Sequence, residues 1–261
     1  MHAPAQKLIP AELLLMAYRS GIFPMADSRD DEEIYWVEPR ERAVIPLDGL
    51  RISRSLAKAI RQDRFTVTCN ADFAGVIAAC AAPRPGHPES WISDRIAASY
   101  RALHMAGHAH SIECRRDGEL VGGLYGVGFD RAFCGESMFS RATDASKVAL
   151  AWLVALLRHA GYRLLDCQFI TEHLASLGAV TVNREAYLER LAAAVAAGPA
   201  PSLPEAYVSL LGAAGAAGSG VGVGEAVAAG AGARAGASSS PSETGASSPG
   251  KLILQSLTQT S

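Results

Sequence analysis

The sequence predicts an α/β (α+β) fold, and three stretches predict it. Residues 120–141, LVGGLYGVGFDRAFCGESMFSR, read as strand, turn and strand. After Asp144, ASKVALAWLVALLRHA carries a broad apolar face at helical spacing. Residues 164–179, LLDCQFITEHLASLGA, open with a strand that ends in a polar cluster. Hairpin, helix and returning strand describe a helix packed on a sheet, with chemistry expected where the last strand ends.

The remaining elements follow in order. AELLLMAYRSG, after Pro10, reads as a short helix with Leu13, Met16 and Ala17 on one face and Gly21 as its stop. The Pro-punctuated stretch behind it, with Phe23, Tyr35 and Trp36, reads as short edge strands and loops. Ser53 is placed to cap a helix running to about Asp63. Phe65 to Cys69 alternates as a strand, and Asp72 to Ala82 is an Ala-rich helix halted by Pro83. Past the proline-rich loop, Ser93 caps DRIAASYRALHMA and Gly107 ends it. A hairpin over 109–116 and 119–127 turns at Asp117-Gly118. The strand over 131–140 contains Gly135, which invites a bulge, and Asp144 caps the long helix. A strand at 163–168, a short helix at 171–176, a strand at 179–183 and a helix at 184–197 close the series. From Arg64 the order is β α α β β β α β α β α, which by analogy fits a GNAT-like acyltransferase domain. The expected organisation is a small N-terminal subdomain at 1–63, the GNAT-like catalytic domain at 64–197 and a low-complexity tail at 198–261.

Composition narrows the function classes. From Gly198 the chain is mostly Ala, Gly, Ser and Pro, with apolar spots only at 207–211 and 252–257, so the tail is expected to be disordered. Net charge is −2, so any contact with nucleic acid must come from a local patch. Five cysteines, an odd number lying in apolar runs, suit buried thiols in a reducing cytosol. MHAPAQKLIP has no apolar segment of a signal peptide, and no uncharged apolar run spans a bilayer. The expectation is a cytoplasmic protein with no membrane partner.

Several constellations carry candidate chemistry. Asp166 and Gln168 lie two apart on a strand and share a face, where they either orient an incoming amine or merely close the strand. Glu136 sits in the apolar run FCGESMF beside Gly135, which favours a site over an ion pair with Arg131 or Arg141. His104, His108, His110 and Cys114 have metal-like spacing but fall on a helix end, a turn and a strand, so no metal centre is expected. GGLYGVG leads into a strand, and SRATDAS, the real turn into a helix, has no glycine, so no coenzyme A cradle is expected. Arg54, Lys58 and Arg61 form a stripe that either holds a phosphate backbone or faces solvent. Trp36 and Trp91 either stack on bases or belong to the core.

GIFPM, Trp36 with Pro39, SRSL, WIS, GHAHSIE, LVGGLYG, FCGESMFSR with DASKVAL, LDCQ and HLASLGA occur in this order. Together they closely resemble the leucyl/phenylalanyl-tRNA–protein transferases, from about Leu13 to Leu191. The resemblance implies transfer of Leu or Phe from Leu-tRNA or Phe-tRNA to the α-amine of proteins bearing N-terminal Arg or Lys. This is the N-degron tagging reaction, run on a GNAT-like domain by a monomer without metal or cofactor. Matched residue by residue, Asp166, Gln168 and Glu136 are the catalytic group. Leu124, Phe133 and Leu153 line the aminoacyl pocket, and Trp91 packs on the terminal adenosine. Met25 of FPM stands where some relatives carry a second aromatic, and Arg54, Lys58 and Arg61 are the expected tRNA contacts. The GGDLS-like motif of many members is missing, which implies a reduced N-terminal domain. The ester is already activated, and an α-amine titrating near about pH 8 is partly neutral, so alignment and removal of one proton suffice. Gln168 is expected to hold the amine, polarised by Asp166, with Glu136 orienting the pair or binding the acceptor's amine. An acetyl-CoA N-acetyltransferase lacks its phosphate loop here, and a non-catalytic RNA-binding module leaves the three polar residues without a role. A related transferase for acidic N-termini stays open.

Overall fold

The computed structural model describes residues 8–31, 33–83, 90–217 and 248–258. In chain order the first elements are α1 (Ala11–Arg19), β1 (Phe23–Met25), β2 (Tyr35–Val37), β3 (Glu41–Val44) and α2 (Arg54–Arg61). Next come β4 (Thr66–Cys69), α3 (Phe73–Ala81), α4 (Asp94–Met105), β5 (Ala109–Arg116), β6 (Glu119–Phe129) and β7 (Ala132–Ser140). The rest are α5 (Ala145–His159), β8 (Leu164–Gln168), α6 (Glu172–Ser176), β9 (Val180–Asn183), α7 (Arg184–Ala196), α8 (Leu203–Ala217) and α9 (Pro249–Thr258). β1 and β2 pair alone, and the other strands form one mixed sheet in the order β4-β5-β6-β7-β8-β3-β9.

Local chemistry accounts for the elements that match expectation. Asp117 and Gly118 both take positive φ, the turn geometry that matches the twist of β5 and β6. Ser53 and Ser93 cap α2 and α4 by accepting the backbone N–H three residues on. β7 and β8 run parallel with α5 between them in sequence, while every other pairing in the sheet is antiparallel.

Three expectations are corrected. β3, expected among the edge strands of a separate subdomain, lies inside the main sheet, with Ala43 opposite both Gln168 and Thr181. Its run is only four residues long, too short to show a period, and nearby prolines disguise it. Asp144 precedes α5 but makes no side-chain cap bond. Its φ of 68° is left-handed, outside the extended geometry of a cap, and its carboxylate meets Lys147 Nζ at 3.2 Å instead.

The third correction concerns the tail. Twelve of the fifteen residues of α5 are buried, so this helix needs cover on its outer side as well as from the sheet. α8 and α9, inside the stretch expected to be disordered, supply it. Leu203 and Ile253 are fully buried in the same cluster as Leu150, Leu153 and Leu157. The Tyr207 hydroxyl donates to the Val67 carbonyl at 2.9 Å and its ring lies 6.0 Å from that of Trp152. Gly250 N–H donates to Asp63 Oδ1 at 2.7 Å, which ties α9 to the end of α2. Residues 218–247 of the expected tail lie outside the described residues. Across the sheet, a second apolar cluster joins α1, α3, α4 and α7 through Tyr18, Phe73, Tyr100, Tyr125 and Tyr187. Among the described residues no helix is long and apolar enough to cross a membrane.

Docking of α9 predicts that Ile253→Ala lowers the unfolding free energy by about 2–4 kcal/mol, the cost of a fully buried isoleucine. Urea unfolding measures it, and an unchanged midpoint would mean that α9 is not seated.

Candidate active site

The site forms where two neighbouring strands part. Pairing of β7 with β8 ends at Cys134 and Asp166. One residue further on, the register between β6 and β7 slips: Gly126 faces Gly135 and Tyr125 faces Ser137, so Glu136 is the extra residue of a bulge. The bulge falls beside Gly135, but the glycine that it requires is Gly126 across the ladder. A Cβ at Gly126 would collide with the Cys134 carbonyl oxygen and the Phe133 ring, whereas one at Gly135 meets only Asp166 O at 3.6 Å. β7 bends away there and a cavity of about 640 Å³ opens in the gap. Leu124, Leu150, Leu153 and Leu165 give it an apolar wall, and Glu136, Gln168 and Trp91 face them.

Glu136 is held from two sides. Gln168 Nε2 donates to its Oε1 at 2.8 Å, and the Tyr100 hydroxyl donates to its Oε2 at 3.2 Å. Tyr18 hydrogen-bonds Tyr100 in turn, so a chain of hydroxyls runs from the carboxyl into the α1–α4 side. Burial pushes the Glu136 carboxyl up to about 7, while the hydrogen bonds from Gln168, Tyr18 and Tyr100 hold it back toward the charged form.

Asp166 belongs to a different cluster. Its carboxylate takes two bonds from the Arg42 guanidinium, a third at 3.0 Å from the Tyr187 hydroxyl, and one at 2.8 Å from the backbone N–H of Gln168. Arg42 also donates to Gly21 O at 3.0 Å and lies over the rings of Phe23 and Tyr187, 4.8 and 4.4 Å from their centroids. Burial alone would lower the Arg42 pKa, but the facing Asp166 raises it above the ordinary value. Gln168 sits at the strand end with φ +62°, a left-handed conformation that β-branched residues avoid. Asp166 thus grips the main chain of Gln168, and the expected polarisation of its carboxamide is corrected: the carboxamide meets Glu136. Among the described residues no hydrogen bond engages Gln168 Oε1.

Leu124, Leu153 and Trp91 line the cavity. Phe133 does not. It is fully buried in the same cluster as Leu124, Leu153 and Leu165, on their face of the sheet, with its ring close against Gly126. Met25 pairs with Tyr35 in β1, away from the cavity lining. Arg54, Lys58 and Arg61 lie on α2 and all three are exposed, and Trp36 is 39% exposed on β2. His104 stacks on Phe73 at 4.3 Å and His110 meets Asn70 at 3.0 Å, which gives both rings structural partners. Arg42, Tyr18 and Tyr100 do not stand out in the sequence. A lone arginine in the apolar run RAVI is the available signal for Arg42, since such a charge needs a partner.

The family profile described as leucyl/phenylalanyl-tRNA protein transferase matches residues 44–192, and its N-terminal-domain profile matches residues 9–40. A curated leucyl/phenylalanyl-tRNA–protein transferase of Novosphingobium aromaticivorans is 60% identical over 261 residues, 97% of each chain. One of Rhizorhabdus wittichii is 60% identical over 185 residues, 71% of this chain and 75% of its own. Among solved structures, L-PGS from Bacillus licheniformis aligns over 63% of this chain and 55% of its own, at 13% identity and a TM-score of 0.35, too loose a likeness to define the fold.

The site yields two predictions. The folded Glu136 pKa lies above its ordinary value of 4.5, so its contribution to stability is full below that value and is lost as pH rises through about 7. Glu136→Gln should remove this dependence, so that the variant gains on the parent between pH 5 and pH 8 in urea unfolding. Arg42→Met strands the Asp166 carboxylate in the core and should cost about 3–5 kcal/mol at neutral pH, read in the same assay.

Proposed function

Since this chain belongs to the leucyl/phenylalanyl-tRNA–protein transferase family and is an aminoacyltransferase, we propose that its cavity moves Leu or Phe from tRNA to the α-amine of proteins bearing N-terminal Arg or Lys. The observation that carries this reading is a carboxamide, Gln168, fixed by Glu136 at the edge of an apolar cavity. Leu124, Leu150, Leu153 and Leu165 suit a branched or aromatic side chain by burying it, with modest discrimination between similar apolar groups. Trp91 offers a face for the terminal adenosine, and Arg54, Lys58 and Arg61 offer a basic stripe for the acceptor stem.

In the proposed reaction the neutral α-amine donates a hydrogen bond to Gln168 Oε1, which aims its lone pair at the ester carbon. The C–N bond forms, the ester C–O bond breaks, and the proton lost by the nitrogen ends on the departing ribose oxygen. Gln168 contributes position and a partial negative charge beside the developing ammonium. Glu136 fixes the carboxamide so that its oxygen faces the amine, and Tyr100 fixes Glu136. Asp166 and Arg42 hold the left-handed turn that presents Gln168. The open strand pair β7/β8 supports reading the domain as GNAT-like. A monomer in the cytoplasm that tags N-degron substrates, with no cofactor in the chemistry, completes the proposal.

Purified protein with radiolabelled Leu-tRNA should label a peptide starting with Arg and spare its twin starting with Asp. Label on the Asp peptide alone would keep the chemistry and overturn the acceptor class. Gln168→Ala should reduce transfer about a hundredfold with aminoacyl-tRNA binding intact, as misaligned reactants imply. Full activity of that variant would remove Gln168 from the mechanism.

A further inference from the structure

Transfer between two macromolecules imposes a spatial requirement that one cavity does not meet. The aminoacyl-tRNA and the acceptor protein both lead away from the reacting atoms, and 640 Å³ is ligand-sized space that holds reacting ends and not the chains behind them. A second concavity of about 530 Å³ adjoins the first, and Phe169 lines both. Its floor runs from Pro39, Arg40 and Glu41 before and within β3 to Thr181 on β9, and Ile170 completes its rim. β9 is the outer strand of the sheet.

Phe169 and Ile170 directly follow Gln168 and are 46% and 43% exposed, an apolar pair held open to solvent at the edge of the site. The ridge is fixed. The Phe169 ring packs edge-on against Phe23 at 5.8 Å, and its N–H donates to the Cys167 carbonyl at 2.8 Å. Phe23 lies under the Arg42 guanidinium that pairs with Asp166, so the groove and the turn at Gln168 share one support.

We propose that this second groove is the acceptor's subsite: it receives the second and third residues of the acceptor protein, with an apolar side chain at the second position against Phe169 and Ile170. The inference rests on the transfer reading above and adds to it a choice beyond the first residue. An acceptor whose α-amine lies at Gln168 crosses the Phe169 ridge in an extended conformation and continues over Thr181 toward the open side of β9. Trp91 and the tRNA then occupy the other side of the cavity.

The test compares Ile170→Asp and Thr181→Arg with the parent on three acceptors: arginine amide, a hexapeptide beginning Arg-Leu and one beginning Arg-Asp. With the parent, the Arg-Leu peptide should have the lower KM of the two peptides. Ile170→Asp should raise that KM about fivefold, as loss of one partly buried apolar contact implies, with unchanged kcat. The rate on arginine amide, which has no second residue, should not change in either variant. Equal losses on amide and peptide would place the damage in the catalytic cavity and overturn the proposal, and so would no loss on either. A benzophenone side chain at the second position of the peptide should crosslink to residues 169–170 or 181, and crosslinks confined to the Trp91 side would also overturn it. If the parent labels no acceptor at all, the transferase reading itself fails, and the subsite falls with it.

Discussion

The buried ion pair between Arg42 and Asp166 is the constraint on which the arrangement depends. Both side chains are essentially without solvent contact, 1% and 0% exposed, and each is costly alone in the interior. They tolerate burial because each is held by several hydrogen bonds: the guanidinium reaches Asp166, Gly21 and Tyr187, and the carboxylate reaches Arg42, Tyr187 and the Gln168 main chain. The pair therefore links α1's end, β3, β8 and α7 around one point. Moving any of these elements would leave a donor or acceptor unmet in a dry place. The left-handed turn that carries Gln168 is built on that point, so its carboxamide inherits the rigidity of the core beneath it.

Against this fixed side stands a strand that has been bent. The bulge at Glu136 and the end of pairing at Cys134–Asp166 separate β7 from β8 without breaking the sheet, because each keeps its other neighbour. The resulting gap is lined by leucines of α5, β6 and β8 beside the Glu136–Gln168 pair, so apolar and polar surface meet in one cavity. Glu136 is desolvated by that gap and is steadied by Gln168, Tyr100 and Tyr18. Two carboxylates lie close in space here with different duties. Asp166 is locked by a cation, and Glu136 is balanced near neutrality by neutral donors.

Much of this is legible in the residues. Turn chemistry at Asp117-Gly118 and caps at Ser53 and Ser93 are local properties, and local rules recover them. The bulge is legible for a related reason, since an acid beside a glycine in an apolar strand fits poorly into a regular ladder. β3 stays hidden because four residues show no period, and with it Arg42, whose partner lies 124 positions away. Similarity puts Phe133 on the cavity, and alternation does place it on the leucine face, but its ring is fully buried against Gly126 and lines no part of the opening. The order of α8 and α9 is masked by Ala and Gly. The clue lies elsewhere, in a helix α5 too apolar to be covered by a sheet on one side only.

Gly126 carries one more consequence. It contacts no reactant, bears no functional group and lies on a strand that faces the cavity only through its neighbours Leu124 and Tyr125. Yet its missing Cβ is what lets the Phe133 ring and the Cys134 carbonyl pass so close that β7 can kink. A methyl added there would displace the Phe133 ring or the Cys134 carbonyl and reshape the cavity while every side chain of the proposed catalytic group stayed in the sequence. The space proposed for the reaction is encoded partly by an atom that the sequence leaves out.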